Sequence, residues 1–223
     1  MPTTPARLWS RVANVYDLQL VLERPALNAA LDLADPRAVD ALLDVGTGTG
    51  GVLRELSRRP SPPRRAVGVD SSPEMLRAAE PLPSGWTLVE ADARDLPFDE
   101  DSFDVVTTAY LLHVLDRGDR TGALEEIARV LRPAGRLVAV TPALPRARIG
   151  RAFLRPVAAM AERSSGLASG LRALDPREEI GRHLRVRRTR WVNRGYPSIC
   201  VLAGAPDLSR SGRGPETRPA PTG

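Results

Sequence analysis

Short solid runs of hydrophobic residues alternate along this chain with stretches in which apolar positions recur at helical spacing. Ala41 to Leu43 with Val45, Ala66 to Val69, Trp86 to Val89, Phe103 to Ala109 and Leu137 to Val140 form the solid runs. Their length and branched content predict buried strands. Between them the spacing changes. Val52, Leu53 and Leu56 follow the first run, and Leu124, Ile127, Ala128 and Leu131 follow the fourth, as the apolar faces of helices. Ser72 and Pro73 open another helix, as N-cap and first helical residue. Strand and helix in alternation predict an α/β sheet.

The flanks read differently. Leu8, Val12, Val15, Leu18 and Val21-Leu22 predict a helical segment over residues 8–34, with Pro25 opening a second helix that contains Leu27, Ala30 and Leu31. Residues 142–183 are rich in Ala and Arg, with helical stretches around Phe153-Leu154, Val157 and Met160 that Ser164-Ser165-Gly166 and Ser169-Gly170 interrupt. Leu184 to Val192 and Tyr196 to Ala203, joined by the turn Asn193-Arg194-Gly195, predict a hairpin. Pro206 to Gly223 is polar and rich in Pro, Gly, Ser and Arg, a composition expected of a disordered tail.

The first strand breaks into Asp44-Val45-Gly46-Thr47-Gly48-Thr49-Gly50-Gly51 before a helix, the opening of a nucleotide-binding βα unit. The glycine spacing fits both G-x-G-x-x-G and G-x-G-x-G. Asp44 separates the two, because a carboxylate beside the turn repels a pyrophosphate and suits an ammonium or sulfonium. Asp70 ends the second strand 24 residues beyond Gly46, near the offset at which an acid meets ribose hydroxyls, with Ser71 following. A carboxylate can accept from both hydroxyls of a ribose. Thr108, Ala109 and Tyr110 stand at the carboxyl end of the fourth strand, where ligands sit in open sheets.

These motifs resemble the class I S-adenosylmethionine-dependent methyltransferases, whose first motif is an acidic residue followed by x-G-x-G-x-G. The resemblance extends to Asp92-Ala93 after the third strand, and to Leu131-Arg132-Pro133-Ala134-Gly135, similar to an L-[KR]-P-G-G turn with Ala134 in place of its first glycine. It is strong over residues 40–141 and weak over the terminal hairpin. It implies a Rossmann-like sheet of seven mostly parallel strands, helices on both faces and an antiparallel C-terminal hairpin. It also implies one domain over 1–205, made of an N-terminal helical segment (1–39), a cofactor-binding core (40–141) and a substrate-side segment (142–205).

The resemblance implies S-adenosylmethionine as cofactor. Asp44 with Gly46, Thr47, Gly48 and Gly50 would hold its amino-acid end, Asp70 and Ser71 its ribose, and Asp92-Ala93 its adenine. Thr108 and Tyr16 would also contact it, Tyr16-Asp17 matching a pair on a segment that folds over the cofactor. Read alone, Asp92 can also cap a turn, the weaker of its two readings, and Tyr16 can equally sit on an amphipathic helix. Leu111-Leu112-His113-Val114-Leu115 is similar to a family run with two histidines. Here His113 can act as a base near the methyl acceptor or simply pack at the strand–helix junction. Tyr110 is the other candidate catalytic group.

Composition narrows the acceptor. Cys200 is the sole cysteine and His113 and His183 the only histidines, which leaves no intramolecular disulfide and no expectation of a metal site. The 32 basic residues are all arginine. Residues 1–141 hold 16 of them against 21 acids, and residues 142–223 hold 16 against 6, so the late segment is basic and could favour an anionic acceptor. No N-P-P-[YF] tetrapeptide or paired cysteines point to nucleic-acid bases, so DNA is not expected. The basic runs lack aromatic interleaving, which disfavours RNA. No run reaches membrane-span length and residues 1–5 lack a signal core, so a cytoplasmic protein without integral membrane association is expected.

The expected activity is in-line methyl transfer to a small molecule: a quinone precursor, a natural product or a lipid-like acceptor. Two other readings stay open. A non-catalytic cofactor-binding partner would keep every motif, and an NAD(P)-dependent oxidoreductase would share the glycine loop.

Overall fold

The computed structural model describes residues 21–144 and 173–204. Its seven strands are β1 (Ala41–Val45), β2 (Arg65–Asp70), β3 (Trp86–Glu90), β4 (Phe103–Ala109), β5 (Leu131–Pro142), β6 (Arg185–Val192) and β7 (Ser198–Gly204). They form one sheet in the order β3-β2-β1-β4-β5-β7-β6. The first five are parallel, and β7 runs antiparallel to both β5 and β6. This is the Rossmann-like arrangement that the motifs imply. The described helices are α1 (21–34), α2 (Gly51–Ser57), α3 (Pro73–Ala79), α4 (Arg117–Val130) and α5 (Arg177–His183).

Alternation along the strands sends side chains to two cores. Leu43, Val45, Val67, Val69, Leu137 and Ala139 pack with Leu124, Ile127 and Ile180 of α4 and α5. Leu42, Ala66, Val138 and Val140 pack on the other face with Ala26 to Leu31 of α1 and with Val52, Leu53 and Leu56 of α2. The central strands β1, β2, β4 and the later part of β5 are therefore buried on both faces, which is why they read as solid runs.

Two local expectations need correction. Pro25 does not open a helix: α1 is already running at residue 21 and passes through it. A proline inside a helix lacks the N–H that would bond backward and crowds the preceding turn. The Leu22 carbonyl in that turn also accepts from the Tyr196 N–H of the β6–β7 turn, at 2.8 Å. The segment Leu131–Gly135 is not a separate turn but an irregularity within β5, since Leu131 pairs with Phe103 and Arg136 already with Val105.

Ser72 does cap α3, its hydroxyl accepting from Met75 N at 3.3 Å with Pro73 beside it. The predicted stretches around residues 8–20, 153–160 and 206–223 lie outside the described residues. Among those described, no helix is long and apolar enough to cross a membrane.

The contact between α1 and the hairpin depends on Gly195. It has φ of 71°, and a Cβ there would lie 2.1 Å from Leu22 O. Gly195→Ala combines a left-handed strain with that clash, so it is expected to cost about 2 kcal/mol or more. A fall of several degrees in melting temperature checks this; an unchanged transition would refute the tight contact.

Candidate functional site

The chain reverses strand order between β1 and β4, and the loops leaving their carboxyl ends frame a crevice. In the loop after β1, Gly46, Gly48 and Gly50 all have positive φ, and Gly50 caps α2. A Cβ on Gly48 would meet nothing within 4 Å. That side of the loop is bare backbone, which only a residue without a side chain offers at this φ. The loop is tied to β2, because Gly46 N and Thr47 N both donate to Val69 O at 2.8 Å. Asp70 completes the tie. Its Oδ2 accepts from Gly48 N at 2.8 Å and its Oδ1 from Ser72 N at 3.0 Å, so one carboxylate fixes the loop and the entry to α3.

A cavity of about 410 Å³ lies against this loop, lined by Gly46 to Thr49, Asp70, Ser72, Met75, Ala109, Tyr110, Leu111 and Val114, with Glu23 and Leu27 of α1. A second cavity of about 210 Å³ shares Gly46, Asp70 and Leu111 with the first and adds Ser71, Asp92, Ala93 and Arg94. The two adjoin along Asp70.

Asp44 lines neither cavity. It is 1% exposed beneath the loop. Its Oδ1 accepts from Thr107 Oγ1 at 2.7 Å, while Oδ2 has no hydrogen-bond partner among the described residues. Burial pushes its carboxyl up to about 7, against hydrogen bonding from Thr107 and Thr47, with the Asp70 charge adding to the rise. By strict geometry the Thr47 hydroxyl is unpartnered too, so its effect on Asp44 is one of proximity; the buried Thr108 hydroxyl is likewise unpartnered.

Asp92 is half-exposed on the second cavity and firmly held. Arg94 donates to Oδ1 from its N and Nε at 2.9 Å and to Oδ2 from Nη2 at 2.6 Å. These bonds hold the Asp92 carboxyl down at about 2. Arg94 also reaches Asp119 at 2.5 Å. The neighbouring Ala93 N–H donates to nothing among the described residues. Sequence reasoning overlooked the Arg94 clamp, although the Asp92-x-Arg94 spacing is the signal for it.

At the end of β4, Tyr110 adopts φ of 57°, a strained conformation of the kind that clusters at functional sites. Its hydroxyl lies 2.8 Å from Ser198 Oγ. His113 is 2% exposed, sits edge-on to Tyr110 with ring centroids 6.2 Å apart, and lines neither cavity. Tyr16 lies outside the described residues. Glu23 and Leu27 were not anticipated, because no linear motif brings α1 to the crevice, and neither were Tyr196 and Ser198, which contact Tyr110.

Fold and loop together define an α/β domain built to hold a nucleoside-bearing cofactor at its topological switch point. A family model described as a methyltransferase domain matches residues 42–135, from β1 through the Leu131–Gly135 segment. The chain is 34% identical over 218 residues to the demethylmenaquinone methyltransferase of Roseiflexus castenholzii, covering 89% of this chain and 90% of that one. It is 37% identical over 144 residues to the nocamycin O-methyltransferase of Saccharothrix syringae, covering 62% and 51%. Among solved structures, a chain of the Haloferax volcanii complex between the Trm112 methyltransferase activator and a methyltransferase matches with a TM-score of 0.66. The identity there is 22%, over 90% of this chain and 95% of that one.

The chain belongs to the class I S-adenosylmethionine-dependent methyltransferases, and S-adenosylmethionine is its cofactor. The bare Gly48 backbone, the unpartnered Asp44 and Thr47 oxygens and the Asp70 carboxylate fit a ligand with a cationic amino-acid end and a ribose. The oxidoreductase reading is set aside.

Proposed function

We propose that the chain methylates a small, largely apolar acceptor of the quinone-precursor class. The wall of the larger cavity carries this reading: Leu27, Val52, Met75, Ala109, Leu111 and Val114 make it mainly apolar, and among the described residues no arginine stands on it. The relatives named for demethylmenaquinone methylation support the same class. Sequence charge alone admitted an anionic acceptor, but the apolar lining favours a neutral reacting end.

In this reading the loop backbone from Gly46 to Thr49 and Asp70 hold the amino-acid and ribose parts of the cofactor, while Asp92 and the Ala93 N–H meet its adenine. Asp44 acts from beneath the loop as a charge that favours a cation above it. S-adenosylmethionine supplies a sulfonium-activated methyl group for in-line displacement. The chain's own contribution is to align the acceptor and exclude water, as the apolar wall would do. Incubation with isotopically labelled S-adenosylmethionine and a panel of naphthoquinols, phenols, fatty acids and short RNA tests it. Label in the hydroxylated aromatics is expected; label only in RNA or fatty acid would overturn the acceptor class.

A further inference from the structure

On the wall of the second cavity, Arg94 stands between two carboxylates, Asp92 and Asp119. On one side its N and Nε donate to Asp92 Oδ1 at 2.9 Å, and its Nη2 donates to Oδ2 at 2.6 Å. On the other side its Nη1 donates to Asp119 Oδ1 at 2.5 Å, in the first turn of α4. The methylene stem runs beside Gly122 of the same helix, where a Cβ would stand 3.5 Å from Arg94 Cγ. One guanidinium therefore ties the loop after β3 to α4. Its planar fork fixes the Asp92 carboxylate in a way that a point charge could not.

Few lone pairs of Asp92 remain. A carboxylate oxygen offers about two positions for hydrogen bonds. Arg94 fills both on Oδ1 and one on Oδ2, which leaves Asp92 a single hydrogen-bond acceptor position. Ala93, which adjoins it on the same cavity, keeps its N–H without a partner among the described residues. One acceptor beside one donor suits the amino-bearing edge of adenine, where an N–H stands beside a ring nitrogen. A 6-oxo purine turns an oxygen toward the same carboxylate and meets repulsion instead. The Arg94 hydrogen bonds hold the Asp92 carboxyl down at about 2, so it remains an acceptor throughout the neutral range.

We propose that Arg94 is a positioning residue that makes this pocket select a 6-amino purine cofactor over a 6-oxo one, by fixing the last free acceptor position of Asp92 beside the Ala93 N–H. This rests on the placement of adenine at Asp92 and Ala93 proposed above. In that placement Asp92 and Ala93 meet the base, and Arg94 acts through them. Without the fork, the Asp92 side chain can turn about its own bonds and leave its lone pairs to water. The right base then loses a bond, while the wrong base escapes a repulsion. Selection therefore falls together with affinity for the right base, and affinity for the wrong one hardly changes.

The test titrates the full chain calorimetrically with S-adenosylhomocysteine and with S-inosylhomocysteine, which carries a 6-oxo group in place of the 6-amino group. The wild type is expected to prefer the first by about 30-fold or more. Arg94→Met keeps much of the stem and removes the fork. It is expected to weaken S-adenosylhomocysteine about tenfold, to change S-inosylhomocysteine little, and so to cut the preference to about threefold. Arg94→Lys restores the charge without the fork and is expected to follow the methionine variant. A purely structural tie would instead weaken both ligands alike and leave the preference intact. Retention of the wild-type preference in Arg94→Met or in Arg94→Lys overturns the positioning role, as does equal binding of the two ligands by the wild type. Asp92→Ala separates this role from the reading beneath it. If Asp92→Ala keeps the preference, adenine lies elsewhere and the proposal falls with its placement. If Asp92→Ala loses the preference while Arg94→Met retains it, only the role of Arg94 falls.

Discussion

Asp44→Asn is expected to melt above the wild type at about pH 8 and together with it near pH 3, while binding S-adenosylmethionine more weakly. The carboxyl is fully enclosed, with Thr107 on one oxygen and no partner on the other among the described residues. Burial lifts it to about 7 from its ordinary value of 3.8. Between those two values the unfolded chain has lost a proton that the native chain still holds, so wild-type stability falls as pH rises and levels off above 7. Each tenfold change is worth about 1.4 kcal/mol, so the cost at neutral pH and above approaches about 4 kcal/mol. Asparagine carries no such proton. It can keep the Thr107 bond, and its amide can donate where Oδ2 had no partner, so its advantage should grow from about pH 4 to about pH 7 and then stay constant.

In the proposed reading, the same charge is why a destabilising residue suits this position. A cation bound over the loop favours ionised Asp44, so cofactor binding near pH 7 should release a proton. Calorimetry in buffers of different ionisation enthalpy reads that release directly, and Asp44→Asn should abolish it. Equal melting of the two proteins at about pH 8, with no buffer dependence in the wild type, would show that Asp44 is only a structural hydrogen-bond acceptor.

How far the sequence could be read depended on where each position takes its partners. β3 and β4 fall where their apolar runs place them, and in β4 burial on both faces leaves no polar alternation to blur the ends. The loop from Gly46 to Gly50 and the place of Asp70 at the end of β2 were legible because glycine conformation and strand-end chemistry are local demands, whereas the bond from Gly48 N to Asp70 was not foreseen. Pro25 misled because its local preference for a helix start yields to a helix already anchored by the hairpin turn. The wall of the crevice opposite the glycine loop was only partly legible. Tyr110 could be read from its place at the end of β4, whereas Glu23 lines the cavity, and Ser198 meets Tyr110, only through tertiary packing that spacing along the chain does not signal. Asp92 was found, but Arg94, which sets its geometry, was overlooked because an arginine two residues on usually looks like a solvated charge.

Asp70→Ala is expected to raise the dissociation constant for S-adenosylhomocysteine by about 100-fold to 1,000-fold, the largest binding loss at this site. Two effects combine. Both carboxylate oxygens already accept backbone N–H groups, from Gly48 and Ser72, so removal loosens the loop as well as the cavity wall. Each oxygen keeps a further lone pair for a ribose hydroxyl, and bonds to a charged acceptor are worth about 1.5–3 kcal/mol each. Asp70→Asn should do little better than alanine, because its amide must point a donor at either the Gly48 or the Ser72 N–H. The loop contribution can be separated from direct ribose contact with a double-mutant cycle using a 2′-deoxy analogue of S-adenosylhomocysteine. If Asp70 meets the ribose, loss of the hydroxyl should cost the wild type about tenfold or more and cost Asp70→Ala almost nothing. An equal penalty in both proteins would confine Asp70 to holding the loop and leave the ribose to another acceptor.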